Sequence, residues 1–563
     1  MASEDTEKGV SKGNIDGVDT PPPQHNSEYG VGELAGVEHA LQRGLRPRHL
    51  QMIAIGGVIG TGLFLGTAGN LQDGGPAGLL LSYCLMASLL FAVMVALGEM
   101  VSQFPIPGGQ FALASRFVSP ELGFAMGWLY WYNYIIVLPA ELSAAAVLVS
   151  YWTPAGVEDS MCTSGICNNA MWVGLMLIVV YAVNFAGTKV YGEMEFWFCS
   201  IKVITIIGLI ITGIIISAGG GPNHEAIGFR FWNETGGFVQ YQGIAGAKGR
   251  FLGFFSDLIS AAFAFIGTEI TAIAAAETAN PRKAVPNAIK GVWIRIVLFY
   301  LISAFMIGIL VSPTDPSLDL NSTAAKSPFV IAIKNAGIDV LPSIINAALL
   351  TSAWSAGVAD LFVSSRALYG LYTRGQAPSF IGKTRKDGLP WVAVTIGSVF
   401  ALLSFMAASQ NTEAGTVFGY FANMTAICGI ISWTGILWTS IRWHKGLKVH
   451  GIDRNTLAYK APFQPYLSYY GLVVCIMVLI FGGFTSFIHH FNTSSFITTY
   501  FPIPFFAVLF FGYKFWNRSK MVGYHEMDFT SASSADLPTI AKELVEKVGG
   551  QYLNCTELGL VMI

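Results

Sequence analysis

Gly56-Gly-Val-Ile-Gly-Thr-Gly-Leu-Phe64 and Phe263-Ala-Phe-Ile-Gly-Thr-Glu269 each place the tripeptide Ile-Gly-Thr in the middle of a long apolar run. The first run extends from about Leu50 to Leu71, the second from about Phe251 to Ala276. Glycine in mid-helix weakens the backbone ladder, and a Glu at that depth is costly without a partner or a task. Matching glycine-interrupted segments in two halves of a chain mark a ligand site near the bilayer midplane, built on broken helices. The competing reading is that small residues only let helices pack closely.

Composition requires a bilayer around these runs. The chain of 563 residues is 53% hydrophobic and 12% charged, with a mean hydropathy of +0.54. Soluble domains carry roughly twice that charged fraction. A net charge of −2 leaves no basic surface for nucleic acid. About twelve spans follow, near 50–71, 77–104, 121–152, 171–187, 194–217, 252–277, 292–312, 342–372, 391–409, 416–441, 466–488 and 497–516. The polar residues 1–48 read as a disordered cytosolic tail, 49–518 as the twelve-helix domain and 519–563 as a second cytosolic tail. No cleavable signal peptide is visible.

With both ends inside, the short inner loops hold fourteen Lys and Arg, from Arg116 to Lys460, against five outside, from Arg230 to Lys334. The sequons at Asn233, Asn321 and Asn492 then all fall outside. Cys162 and Cys167 share an outer loop where a disulfide is chemically allowed, bridged or not. No cysteine spacing resembles a zinc site, and no nucleophile–base pair or phosphate loop stands out, so neither enzyme chemistry nor a cofactor is expected.

Ionisable residues inside spans each need a reason. Glu269 follows the second Ile-Gly-Thr, placed either to carry a proton or to brace the unwound segment. Glu141 lies within the third span beside Pro139, and Lys202 within the fifth. Asp257 and Asp360 are expected in hydrogen-bonded structural roles. Glu99, Glu193, Glu195, Glu277, Arg295 and Arg366 read as snorkelling or inner-gate groups, and His444 as a solvated histidine near a helix end. Phe263 and Phe265 are candidates for closing a pocket, with ordinary packing as the alternative.

Several motifs together resemble the fungal amino acid permeases of the amino acid–polyamine–organocation superfamily. They are Arg46-Pro-Arg-His49 with Gly56–Phe64, Gly98-Glu-Met100, Pro107-Gly-Gly109, Leu138-Pro-Ala-Glu-Leu142, Gly192-Glu-Met-Glu-Phe196 with Ile201-Lys-Val203, Phe265-Ile-Gly-Thr-Glu269, Ala276-Glu-Thr-Ala-Asn-Pro-Arg282 and Ser365–Tyr372. The resemblance covers roughly residues 45 to 520. It implies an all-α polytopic membrane protein of two inverted five-helix repeats plus two extra helices, with discontinuous first and sixth helices. It further implies that Gly60, Thr61 and Gly62 present N–H groups to a substrate carboxylate, as a helix N-terminus can. Backbone carbonyls of Val58, Phe263 and Ile266, around Gly267, would receive the ammonium. Lys202 resembles a lysine that takes the place of a sodium ion in proton-coupled members, and Glu269, Lys202 and Glu141 are the candidate proton-coupling groups. The expected function is proton-coupled import of neutral or a broad range of amino acids across the plasma membrane. Its partners are then the amino acid, protons and the lipid bilayer. An exchanger of the same fold and a transporter-like sensor are the alternatives; sensors of the family carry a much longer N-terminal tail.

Overall fold

A computed structural model describes residues 52, 59–106, 108–152, 169–272, 281–319, 327–408 and 414–530. The described residues all belong to the unit Leu41–Ile563. The calls on Val58, the two tails (apart from residues 519–530), Cys162, Cys167, Asn321 and Glu277 fall outside the described residues, as does the side chain of Arg282.

Among the described residues the chain is helical and contains no strand. Helices apolar on most sides form because lipid offers no partner to a backbone N–H or C=O, so each span must satisfy its own. The helix Gly66–Gln103 turns sharply at Gly75, whose φ of +74° favours glycine. A Cβ there would sit 2.9 Å from Val239 N. Its first part therefore completes the first span, and the part from Pro76 onward is the second.

The later spans are Pro120–Ser150, Asn169–Phe185, Thr188–Ser217, Gly246–Ala272, Lys283–Leu310, Leu341–Thr373, Trp391–Ala408, Ala414–Val449, Tyr466–Phe487 and Thr493–Asn517. Among the described residues ten helices are long and apolar enough to cross a membrane and Asn169–Phe185 is shorter; with the first divided at Gly75, they follow the predicted apolar runs. Several helices outrun their apolar runs: the fifth starts at Thr188, the sixth at Gly246 and the seventh at Pro281. Polar first turns at the interface stay helical because their heads reach water.

The resemblance implies that spans six to ten repeat spans one to five with inverted sense, the eleventh and twelfth being additional. The first and second spans pack on the sixth, and the third on the eighth and tenth. Counterpart helices of the two repeats therefore meet at the centre. The third span is nearly all buried, and the twelfth turns most of its surface outward. Between the second and third spans Gly109–Phe117 forms a short helix against the third span. Residues 519–530 lie against it: Val522 N–H donates to Val118 O at 2.9 Å, and Arg116 pairs with Asp528 at 3.2 Å.

Candidate functional site

Both Ile-Gly-Thr segments are breaks. Gly60 is extended (φ −124°, ψ −161°), and a helix starts at Thr61, its N-cap Gly60 offering no side chain. The ladder begins with Leu65 N–H donating to Thr61 O at 2.7 Å, so the N–H groups just after the break lack intrahelical acceptors. In the sixth span the helix stops at Phe265, Ile266 is extended (ψ 144°), and Gly267 takes φ +87°. Ile266 and Thr268 N–H groups donate to Phe263 and Phe265 carbonyls, at 3.3 and 3.4 Å. Ile270, Thr271 and Ala272 donate to Gly267, Thr268 and Glu269. The ladder thus skips the Ile266 carbonyl, whereas the Phe263 carbonyl already has a donor. The two spans touch where a Cβ on Gly62 would lie 2.8 Å from Ala264 Cα and 3.0 Å from Phe263 Cδ1. Backbone donors of the first span therefore lie beside the sixth-span helix just before its break.

The Glu141 carboxylate sits at the start of the first-span helix. A Cβ on Gly60 would lie 2.8 Å from Glu141 Oε1, and the Thr61 N–H lies beside the same carboxylate, whereas Thr61 Oγ1 has no hydrogen-bond partner among the described residues. Oε2 has no hydrogen-bond partner among the described residues. Lys202 is 1% exposed, its Nζ without a hydrogen-bond partner, and its charge reaches both Glu141 and Asp360. Glu195 completes the group: its Oε2 accepts from Ser355 Oγ at 2.8 Å and its Oε1 from Cys199 Sγ at 3.1 Å. Four buried charged side chains from the third, fifth and eighth spans therefore gather behind the first break.

Glu269 is placed differently. Its carboxylate bends back to the N–H groups of Gly267 and of its own residue and accepts from Trp433 Nε1 at 3.4 Å. That arrangement ties the unwound segment to the tenth span. Ile266 presses on the same helix, since a Cβ on Gly429 would lie 2.6 Å from its side chain. Phe263 faces Gly62 and meets Phe418 edge-on at 5.9 Å. Phe265 points elsewhere, packed between Tyr83 and Tyr300 at 5.6 and 4.7 Å, so it does not close the pocket. Tyr134, not singled out from sequence, brings its hydroxyl within 3.0 Å of a Cβ position on Gly267.

Other expectations need correction. Asp257 is buried, yet neither carboxylate oxygen has a hydrogen-bond partner among the described residues, and Asp360 Oδ2 has none either. Glu195 does not snorkel; the spacing Glu195, Cys199, Lys202 puts all three on one helix face, a signal readable in the sequence. Glu99 is fully buried, bonded to Arg454 Nε at 3.0 Å and NH2 at 2.7 Å, with His444 Nε2 3.4 Å away. His444 is buried within the tenth helix, not solvated, because the loop carrying Arg454 folds over that end. Arg366 is held by Thr188 Oγ1 at 3.0 Å and lies over the Phe362 ring, an internal brace.

A family model for amino acid permeases matches residues 49–526. The chain is 39% identical to the dicarboxylic amino acid permease of Saccharomyces cerevisiae, over 90% of this chain and 83% of that one. It is 40% identical to the proline-specific permease of Emericella nidulans, over 92% of both chains. With the lysine-specific permease of S. cerevisiae it shares 38%, over 86% of this chain and 77% of the relative.

Proposed function

We propose that this chain, which belongs to the amino acid permease family, imports amino acids together with protons across the plasma membrane by alternating access, with both termini cytosolic. The observation that carries the reading is the helix N-terminus after Gly60, occupied by the Glu141 carboxylate and backed by Lys202. A site that holds one carboxylate on backbone N–H groups suits the carboxylate of a substrate.

In this reading the substrate carboxylate takes the N–H groups of Thr61 and Gly62, with Gly60 giving the backbone room to approach. The ammonium turns toward the Ile266 carbonyl, and toward Val58 and Phe263 carbonyls where the segment opens further. Gly267 supplies the turn. Glu141, displaced from Thr61, must pair with Lys202 or take a proton, since an unpaired carboxylate there costs several kcal/mol. Substrate and proton would thereby share one event. Lys202 balances Glu141, Asp360 and Glu195 as the arrangement changes, and Glu269 couples the sixth-span break to the tenth span.

The family is one of transporters, and the relatives named above act on acidic, neutral and basic amino acids by name. With the central carboxyl groups gathered around Lys202, a neutral or broad substrate range is the reading the side chains favour. The test is uptake of a labelled amino acid panel in cells lacking their own permeases, at acid and neutral external pH, with and without a protonophore. Accumulation that rises in acid and collapses with the protonophore supports proton-coupled import. Uptake indifferent to the gradient but stimulated by internal amino acid means exchange, and binding without uptake means a sensor.

A further inference from the structure

A second buried carboxyl stands apart from the central group. Asp257 lies in the part of the sixth span before its break, and only 1% of it is exposed. Both oxygens lack a hydrogen-bond partner, and no ion pair reaches them among the described residues. The turn between the first and second spans closes over it: a Cβ on Gly74 would lie 2.0 Å from Asp257 Oδ2, and one on Gly78 3.4 Å away. A Cβ on Gly253 would in turn lie 2.4 Å from Asp73 O. The loop before the sixth span forms a roof, with Ala77 N–H donating to Gly237 O at 2.7 Å and Val239 N–H to Gly74 O at 3.4 Å.

The titratable groups facing Asp257 are Asp73, Tyr83 and Tyr241. None is a cation. Tyr83 spends its hydroxyl proton on Gly62 O at 3.3 Å, in the first-span helix that begins at the break. Asn70 reaches only the Asp257 backbone carbonyl, at 3.5 Å.

An ionised carboxylate without donors in so dry a contact costs several kcal/mol, and the neutral acid costs much less. The packed arrangement therefore calls for a proton on Asp257. Parting the 61–78 segment from the sixth span would admit water and allow ionisation. We propose that Asp257 is a proton-binding site on the outer side of the molecule, whose protonation favours closure of the first-span segment and its roof over the sixth span. The proposal rests on the orientation and proton coupling argued above. It adds a proton site distinct from Glu141, Lys202 and Glu269.

Asp257→Asn mimics the protonated acid. In the full-length protein it should bring the acid-to-neutral uptake ratio down to about one, with the substrate KM in acid unchanged. A ratio equal to wild type, with Glu269→Gln or Glu141→Gln abolishing pH dependence instead, overturns the proposal and leaves proton-coupled import standing. The second measurement needs no transport. Val239→Cys, in the roof, is labelled with a membrane-impermeant maleimide in acid and at neutral pH, and normalised to exposed Gln240→Cys. Normalised labelling should be several-fold slower in acid, and Asp257→Asn should remove the difference. Labelling indifferent to pH in the chain that keeps Asp257 overturns the proposal. That result decides the matter even if Asp257→Asn fails to reach the membrane or wild-type uptake proves independent of pH.

Discussion

Glu99 and Glu141 are both buried glutamates on membrane helices, and the molecule treats them oppositely. Glu99 holds two bonds from Arg454 and faces His444 at the C-terminal end of the second span. Glu141 holds the N-terminus of a broken helix and leaves Oε2 without a partner. A fastened carboxylate repays its burial as structure. One left partly open beside backbone donors can exchange partners, which a carrier needs. Burial alone does not separate the two; the partners do.

The comparison breaks first at the glycines beside Glu141. Gly62→Val should take uptake to background while the protein still reaches the membrane, since its side chain would meet Ala264 backbone 2.8 Å away. Wild-type uptake would reduce Ile-Gly-Thr to a packing motif. Next in size, Glu99→Gln should cost about 3–5 kcal/mol of stability by leaving the Arg454 charge unpaired. Thermal denaturation in detergent reads that loss, and the substrate KM of the surviving protein should not move. Glu141→Gln should do the reverse. Uptake falls about ten- to a hundredfold, as one charge-assisted hydrogen bond is worth about 1.5–3 kcal/mol, while the melting temperature barely shifts. Equal melting losses in the two Gln variants would erase the distinction. The smallest effect belongs to the half-exposed Arg116–Asp528 pair: Arg116→Ala should cost about 1 kcal/mol or less, and less still in high salt. A larger loss there would show that the stretch 519–530 fastens the short helix Gly109–Phe117 as firmly as Arg454 fastens Glu99.

Much of the bundle was legible because lipid permits few solutions. The described helices follow the apolar runs, and both glycine-interrupted segments became breaks. Element ends were less so: the fifth, sixth and seventh helices begin before their apolar runs, since hydropathy does not register a helical turn whose side chains reach water. Among site residues, Glu141 and Lys202 stood out as charges in apolar runs. Glu195 was misjudged as an end-of-helix group although its spacing from Lys202 put both on one face. Phe263 and Phe265 looked alike in sequence, two residues apart and both aromatic. The fold turns one to Gly62 and buries the other between two tyrosines.

By itself the sequence determined the membrane class, the placing of the spans and where two of them break. Hydrocarbon length and backbone hydrogen bonding impose those on any chain with this pattern of apolar runs and glycines. Only the tertiary structure decided which buried acids are fastened and which are open. The groups that surround Glu99, Glu141 and Asp257 come from helices or loops far along the chain, and a carboxylate's cost and use depend on what lies within hydrogen-bond reach, not on its neighbours in sequence.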